Sequence, residues 1–228
     1  MIRILFFIPA VLMAGAIATA DQYWIAYEGN DFPENEGWER YATDPSAQRW
    51  LEDGSLLIDS RADVDITEIY GMYPEGGLDP QVGETFVMAW RLNVRESHLW
   101  DAAVCVSSGE LWSVHFIFDE QSLISLYESN VYVPFEPGVF HDLELRSDDM
   151  RVYALRLDGH LVVEGTFFES FFDSGVGWGD MVRGGASWAA WDYFRFGVTP
   201  EPRCSLMVLI GLHLFRRRGW RSAVEKGP

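Results

Sequence analysis

The chain has 228 residues with 17 Lys+Arg against 35 Asp+Glu, unevenly spread: residues 21–202 hold 10 basic and 34 acidic side chains, residues 203–228 hold 6 and 1. A body with a formal net charge of −24 excludes a basic nucleic-acid-binding surface, so no nucleic-acid partner is expected. With 48% hydrophobic and 15% aromatic residues there is apolar material for one core, which excludes disorder as the meaning of that acidity.

In chain order, residues 1–20 come first. A short basic start at Arg3 precedes an apolar run over 4–17, and Ala18 and Ala20 place small residues at the minus-three and minus-one positions before Asp21. This is the pattern of a signal peptide, with signal peptidase as the implied partner and export as the consequence. Residues 21–49 are rich in acids, aromatics and turn formers and predict a covering segment or edge strand, with Trp24, Tyr27, Phe32, Trp38 and Tyr41 packing inward. Apolar stretches at 54–59, 67–73 and 84–94 follow, and the turn-rich 74–83 makes the last two separate strands.

The second half alternates more clearly. Segments 101–107, 111–118, 123–127 and 130–133 are short, β-branched and aromatic, which predicts an antiparallel meander. Over 140–145, the period of two puts Asp142 and Glu144 on one face and His141, Leu143 and Leu145 on the other. Segments 151–157 and 160–164 flank Asp158-Gly159, whose residues readily take the positive φ of a two-residue hairpin turn. The last strand is predicted over 190–198, and no stretch of the body predicts a long amphipathic helix.

The run Phe140-His141-Asp142-Leu143-Glu144-Leu145, the strand and turn at 151–159, and Trp191-Asp192-Tyr193-Phe194-Arg195-Phe196-Gly197 resemble the concanavalin A-like lectin/glucanase superfamily, LamG-like domains included. The resemblance implies an all-β antiparallel jelly-roll sandwich over 50–198. Its members include sugar binders, adhesion modules and glycosidases, so it does not choose a function.

The chain then reads Pro200-Glu201-Pro202, an apolar run over 204–215, and Arg216-Arg217-Arg218. A helix of that run spans about 18 Å, short of a hydrocarbon core of roughly 30 Å, so a permanent independent membrane span is not expected. A transient anchor is compatible with it, the Arg cluster staying on the cytoplasmic side. Tripeptide, apolar segment and Arg cluster together resemble the PEP-CTERM sorting tail, here residues 199–228. That resemblance implies processing by a membrane exosortase and delivery, after a transient membrane stage, to the cell surface or extracellular matrix. The short apolar run and the ten residues after the Arg cluster depart from the pattern.

Candidate sites are sparse. Asp142 and Glu144 are the easiest local carboxylate pair for glycoside hydrolysis. The Glu-x-Asp-x-Glu strand motif of the glucanases is missing, however, and the pair reads as a solvated face. Asp59, Asp63 and Asp65 supply hard oxygen ligands suited to calcium, without the glycine and terminal glutamate of an EF-hand loop and with Arg61 beside them. His98, His115, His141 and His160 show no metal-ligand spacing, and Cys105 reads as a small core residue. Trp178, Trp188 and Trp191, near glycine-rich turns at 175–179 and 184–185, are the candidates for stacking on a sugar, although tryptophans also fill sandwich cores. The leading expectation is an exported, non-enzymatic surface or matrix protein that binds polysaccharide. The alternatives are a glycoside hydrolase on a jelly-roll fold and a purely structural matrix protein.

Overall fold

The computed structural model describes residues 25–43, 48–62, 67–98, 102–109, 112–119, 122–125, 132–169, 173–181 and 185–200. The strands in chain order are β1 (Ile25–Tyr27), β2 (Glu39–Ala42), β3 (Gln48–Glu52), β4 (Ser55–Asp59), β5 (Glu68–Met72), β6 (Glu84–His98), β7 (Ala102–Ser107) and β8 (Trp112–Phe118). They continue as β9 (Ser122–Ser125), β10 (Tyr132–Pro134), β11 (His141–Ser147), β12 (Val152–Leu157), β13 (His160–Thr166), β14 (Phe168–Glu169), β15 (Gly175–Asp180) and β16 (Ala186–Pro200). Two antiparallel sheets result. The front sheet runs β13-β12-β11-β6-β16-β4-β3 with β1 added to β16; the back sheet runs β10-β9-β8-β7-β15-β5-β2 with β14 added to β8. This is an all-β, jelly-roll-like sandwich: the alternation predicts the strands, and the superfamily resemblance implies the sandwich.

The core lies between the sheets. Phe86, Met88, Trp90 and Leu92 of β6 and Phe194 and Phe196 of β16 face Val104, Phe116, Phe118 and Trp178 of the back sheet, all of them buried. The β12–β13 hairpin turns on Asp158 and Gly159, both at positive φ (50° and 78°), which only a short polar residue and a glycine adopt cheaply. The β3–β4 hairpin uses the same device at Asp53-Gly54.

Three local readings change. The glycine-rich stretch expected to turn is β15, paired on both sides in the back sheet. Its glycines alternate on the outer face, where a Cβ on Gly175 would meet the Tyr73 ring at 2.6 Å and one on Gly177 would meet Cys105 Sγ at 3.0 Å. Close side-chain approach, and no turn, requires those glycines. The 21–49 region is woven into both sheets: β1 joins the front, β2 joins the back, and a 3₁₀ turn (Pro33–Glu36) connects them. Within β16 the strict alternation fails, because the ladder with β6 slips between Trp191 and Tyr193. Asp192 is the extra residue of a β-bulge, so Trp191, Phe194 and Phe196 all reach the core and Tyr193 points outward.

An internal ion network closes the β2–β5–β3 corner. Glu68, fully buried, accepts hydrogen bonds from Arg40 Nε and Nη2 (2.6 and 2.8 Å) and from the Tyr70 hydroxyl (2.6 Å). Arg49 donates to the Tyr70 hydroxyl and to Glu34 (both 2.7 Å) and lies 4.4 Å over the Phe32 ring. The hydrogen bond from Arg49 holds the Glu34 carboxyl below its ordinary range.

Candidate functional site on the front sheet

Pairing register places side chains in rows across the outer face of the front sheet. One row is Tyr193 of β16, Arg91 of β6 and Asp142 of β11. The next is Arg195, Ala89, Glu144 and Arg156; a third is Gly197, Val87, Arg146, Ala154 and Glu164. The middle positions Val87, Ala89 and Gly197 are small and buried, and the flanking ones are long and mostly charged.

The first row is tied together. The Tyr193 hydroxyl donates to Asp142 Oδ1 at 2.8 Å, Arg91 Nη1 donates to Asp192 Oδ2 at 2.9 Å, and Arg91 Nε lies 3.8 Å from Asp142 Oδ1. The bulge is what brings Asp192 here, beside a strand position that regular alternation would have turned to the core. Arg195 lies 4.3 Å over the Tyr193 ring and forms a bidentate pair with Glu28; Glu144 pairs with Arg146 at 2.8 Å. Beside the row, Asn93 donates its Nδ2–H to the Gly138 carbonyl (3.1 Å), while its buried Oδ1 has no partner among the described residues. That is an acceptor without its donor, which costs about 1–3 kcal/mol unless a ligand or water supplies one.

The sequence candidates separate in space. Trp178 and Trp191 are fully buried in the core, their rings tilted against one another at 5.1 Å, and present no face to a sugar. Trp188 is half-buried at the far end of the same outer face, with the guanidinium carbons of Arg61 and Arg95 at 4.3 and 4.7 Å from its ring centre. Asp59 is chelated by Arg61 (2.8 and 2.7 Å), whose hydrogen bonds hold its carboxyl low. Asp63 and Asp65 lie outside the described residues, and among the described residues no three His, Cys, Asp or Glu side chains are grouped for a metal. Ala18, Ala20, Glu201, Pro202 and Arg216 to Arg218 also lie outside them; Pro200 is the last residue of β16, opposite Glu84. Asp142 and Glu144 do share an outward face, as their spacing predicts. Arg91, Asn93 and Asp192 were not singled out: the first two follow ordinary alternation inside an apolar strand, and the bulge hides the third.

On the opposite surface, Cys105 of β7 and His115 of β8 are register partners on the outer face of the back sheet, so Cys105 is not in the core between the sheets. Burial pushes the thiol up to about 11 and the imidazole down to about 4, so both are neutral at pH 7 and no activated thiolate forms. An unfolded histidine titrates near 6.5. Between about 6.5 and 4 the unfolded chain therefore binds more protons than the folded one. His115 is without cost to stability above that window and costs up to about 3 kcal/mol as pH falls through it. Urea unfolding of His115→Phe at pH 7.5 and 4.5 should show a smaller acid loss than the parent; equal losses would contradict this.

The fold is an antiparallel sandwich similar to those in solved structures of several carbohydrate-active enzymes. Over 77% of this chain and 98% of its own, the carbohydrate esterase of Shiga toxin-encoding bacteriophage phi24B superposes with a TM-score of 0.58 at 13% identity. The apo Crh5 transglycosylase matches 78% of this chain and 83% of its own, with a TM-score of 0.51 at 10% identity. A sialidase matches 80% of this chain with a TM-score of 0.51 at 12% identity, over only 18% of its own length. No protein family matches the chain, and no curated protein does; none of the comparisons supports the PEP-CTERM resemblance. The expectation of a non-enzymatic protein is corrected: solved structures that share the fold include a carbohydrate esterase, a transglycosylase and a sialidase, so this is a fold that hosts enzymes of carbohydrate chemistry.

Proposed function

We propose that this chain is a glycoside-cleaving β-sandwich whose saccharide lies across the outer face of the front sheet, with Asp142 and Asp192 as the working carboxylates. The observation that carries this is their sharing of one guanidinium. Asp192 lies 2.9 Å from Arg91 Nη1 and Asp142 3.8 Å from Arg91 Nε, so their nearest oxygens are at most about 9 Å apart. Glycoside-cleaving pairs stand roughly 5 to 9.5 Å apart. Asp192, closer to Arg91 and less exposed, takes the base role in this assignment, and Asp142, farther from Arg91 and open to an approaching leaving group, takes the acid role. The Tyr193 hydroxyl, which donates to Asp142 Oδ1, fixes the position of that carboxyl. The fold shared with an esterase and a transglycosylase supports the reading.

The test is incubation with a panel of oligosaccharides, neutral and acidic, with mass-spectrometric detection of products. Asp142→Asn and Asp192→Asn should each lower product formation at least about a hundredfold, the usual worth of a positioned acid or base, while the melting temperature stays close to the parent's. Product formed equally by both variants, or no product from any glycan, would overturn the assignment.

We propose further that residues 1–20 direct export and that the segment from Pro200 to Arg218 directs transient anchoring and processing by an exosortase-like enzyme. Replacing Pro200, Glu201 and Pro202 by alanine should change both the mature mass and the cell fraction that holds the protein; neither changing would refute it.

A further inference from the structure

The outer face of the front sheet carries Arg61, Arg91, Arg95, Arg146, Arg156 and Arg195, six of the ten arginines in a body that has 34 acids. Five of the six are held by protein oxygen: Arg61 by Asp59 and Glu96, Arg91 by Asp192, Arg146 by Glu144, Arg195 by Glu28, and Arg156 by the Gly159 carbonyl. Arg95 differs. Its guanidinium makes a cation–π contact with Trp188, and no carboxylate among the described residues pairs with it. In so acidic a chain, a guanidinium left without a carboxylate requires an arrangement that keeps it from one.

Two features supply that arrangement. The β6–β16 ladder slips between Trp188 and Ala189, pairing Trp188 with Glu96 and Ala189 with Val94, so that Arg95 is the extra residue of a second bulge. Bulges re-aim a side chain, and this one sends Arg95 onto the indole. Glu96, the nearest acid in sequence, is already taken by Arg61 at 2.8 Å. The Trp188 indole N–H is itself buried without a hydrogen-bond partner among the described residues. A planar guanidinium laid on an aromatic ring keeps its in-plane N–H fork free and rotationally restrained, which suits a bidentate bond to a carboxylate.

We infer that Arg95, seated on Trp188, is a subsite for the carboxylate of a uronic acid unit, so that the saccharide recognised by this face is an acidic polysaccharide. The inference rests on the reading of the front sheet as the saccharide face and adds the substrate class. It also reverses what net charge alone suggests: the body as a whole repels polyanions, but at contact distance the uncompensated charge here is positive. The second outcome is salt sensitivity, because a partly exposed charge pair is screened.

Calorimetric titration of the full chain with galacturonate and alginate hexamers, each compared with its methyl ester of equal length, isolates the charge from the shape. The free acid of at least one hexamer should bind about tenfold or more tighter than its ester, and the advantage should shrink in 0.5 M salt (about 4 Å screening length). Arg95→Ala should abolish the acid-over-ester ratio while leaving ester affinity and melting temperature unchanged. Trp188→Leu should reduce the ratio with Arg95 intact. Equal binding of acid and ester, no binding of either, or a ratio that survives Arg95→Ala would overturn the inference. Cleavage of neutral glycans that depends on Asp142 would in that case leave the glycosidase reading standing, and absence of any product would remove that reading separately.

Discussion

Trp178→Ala is expected to lower the free energy of unfolding by about 3–5 kcal/mol, the range for truncating a large buried aromatic. The indole belongs to β15 in the middle of the back sheet and is fully buried. It stacks on Phe194 of the front sheet (5.6 Å, 9°) and meets Tyr27, Tyr70 and Trp191 at 5.1, 4.9 and 5.1 Å. Trp38 approaches it edge-on at 5.8 Å. Truncation therefore opens a cavity where the two sheets touch, and surrounding rings fixed in separate strands cannot collapse into it. Trp178→Phe keeps most of the stacking and should cost less than half as much. Urea titration followed by circular dichroism reads both changes. A loss under about 1 kcal/mol for the alanine variant would mean that this side chain does not join the sheets, and would reopen its earlier candidacy as a sugar contact.

Glu68→Gln is the second large effect, expected at about 3–5 kcal/mol of destabilisation, the cost of breaking a buried ion pair from one side. The carboxylate is fully buried and receives Arg40, Tyr70 and, at 3.5 Å, Arg49. Glutamine keeps the shape but removes the charge, leaving the half-buried Arg40 without its carboxylate. Arg49 retains Glu34, so the deficit falls mainly on Arg40. The double variant Glu68→Gln with Arg40→Met should recover part of the loss, because the stranded charge goes with its partner. Thermal melts of the parent, the two single variants and the double variant close the cycle. Strict additivity would show that the two groups do not depend on one another. Neither residue lies on the front sheet's outer face, so oligosaccharide cleavage by the folded fraction should be unchanged.

How much of this was legible follows from the range of each interaction. The Asp158-Gly159 hairpin was readable because turn chemistry is local: two residues at positive φ set the register of β12 against β13. The polar face of β11 was readable for a similar reason, since a regular strand turns every second side chain the same way. β15 was misread because Gly-x-Gly-x-Gly looks like a turn until the neighbours that need those glycines, Tyr73 and Cys105, are in place. Asp192 was not legible because regular alternation fails at a bulge that only the ladder with β6 reveals. The three tryptophans were grouped by nearness in sequence to glycines, and the fold sent two inward and one outward.

From its own order of residues the chain determined an acidic all-β body, most of the strand positions, two-residue hairpin chemistry and the sidedness of individual strands, because these depend on side-chain pattern within a few positions. Tertiary structure alone decided that β6 and β16, whose paired residues lie from 88 (His98 and Ala186) to 116 (Glu84 and Pro200) positions apart, run side by side through two bulges. It also decided which arginine meets which carboxylate, and that Arg91 stands between Asp142 and Asp192 while Arg95 rests on Trp188. Antiparallel pairing joins any two compatible strands with similar backbone bonds, so the partner of a strand is selected by how the whole core packs and is not written in the strand itself.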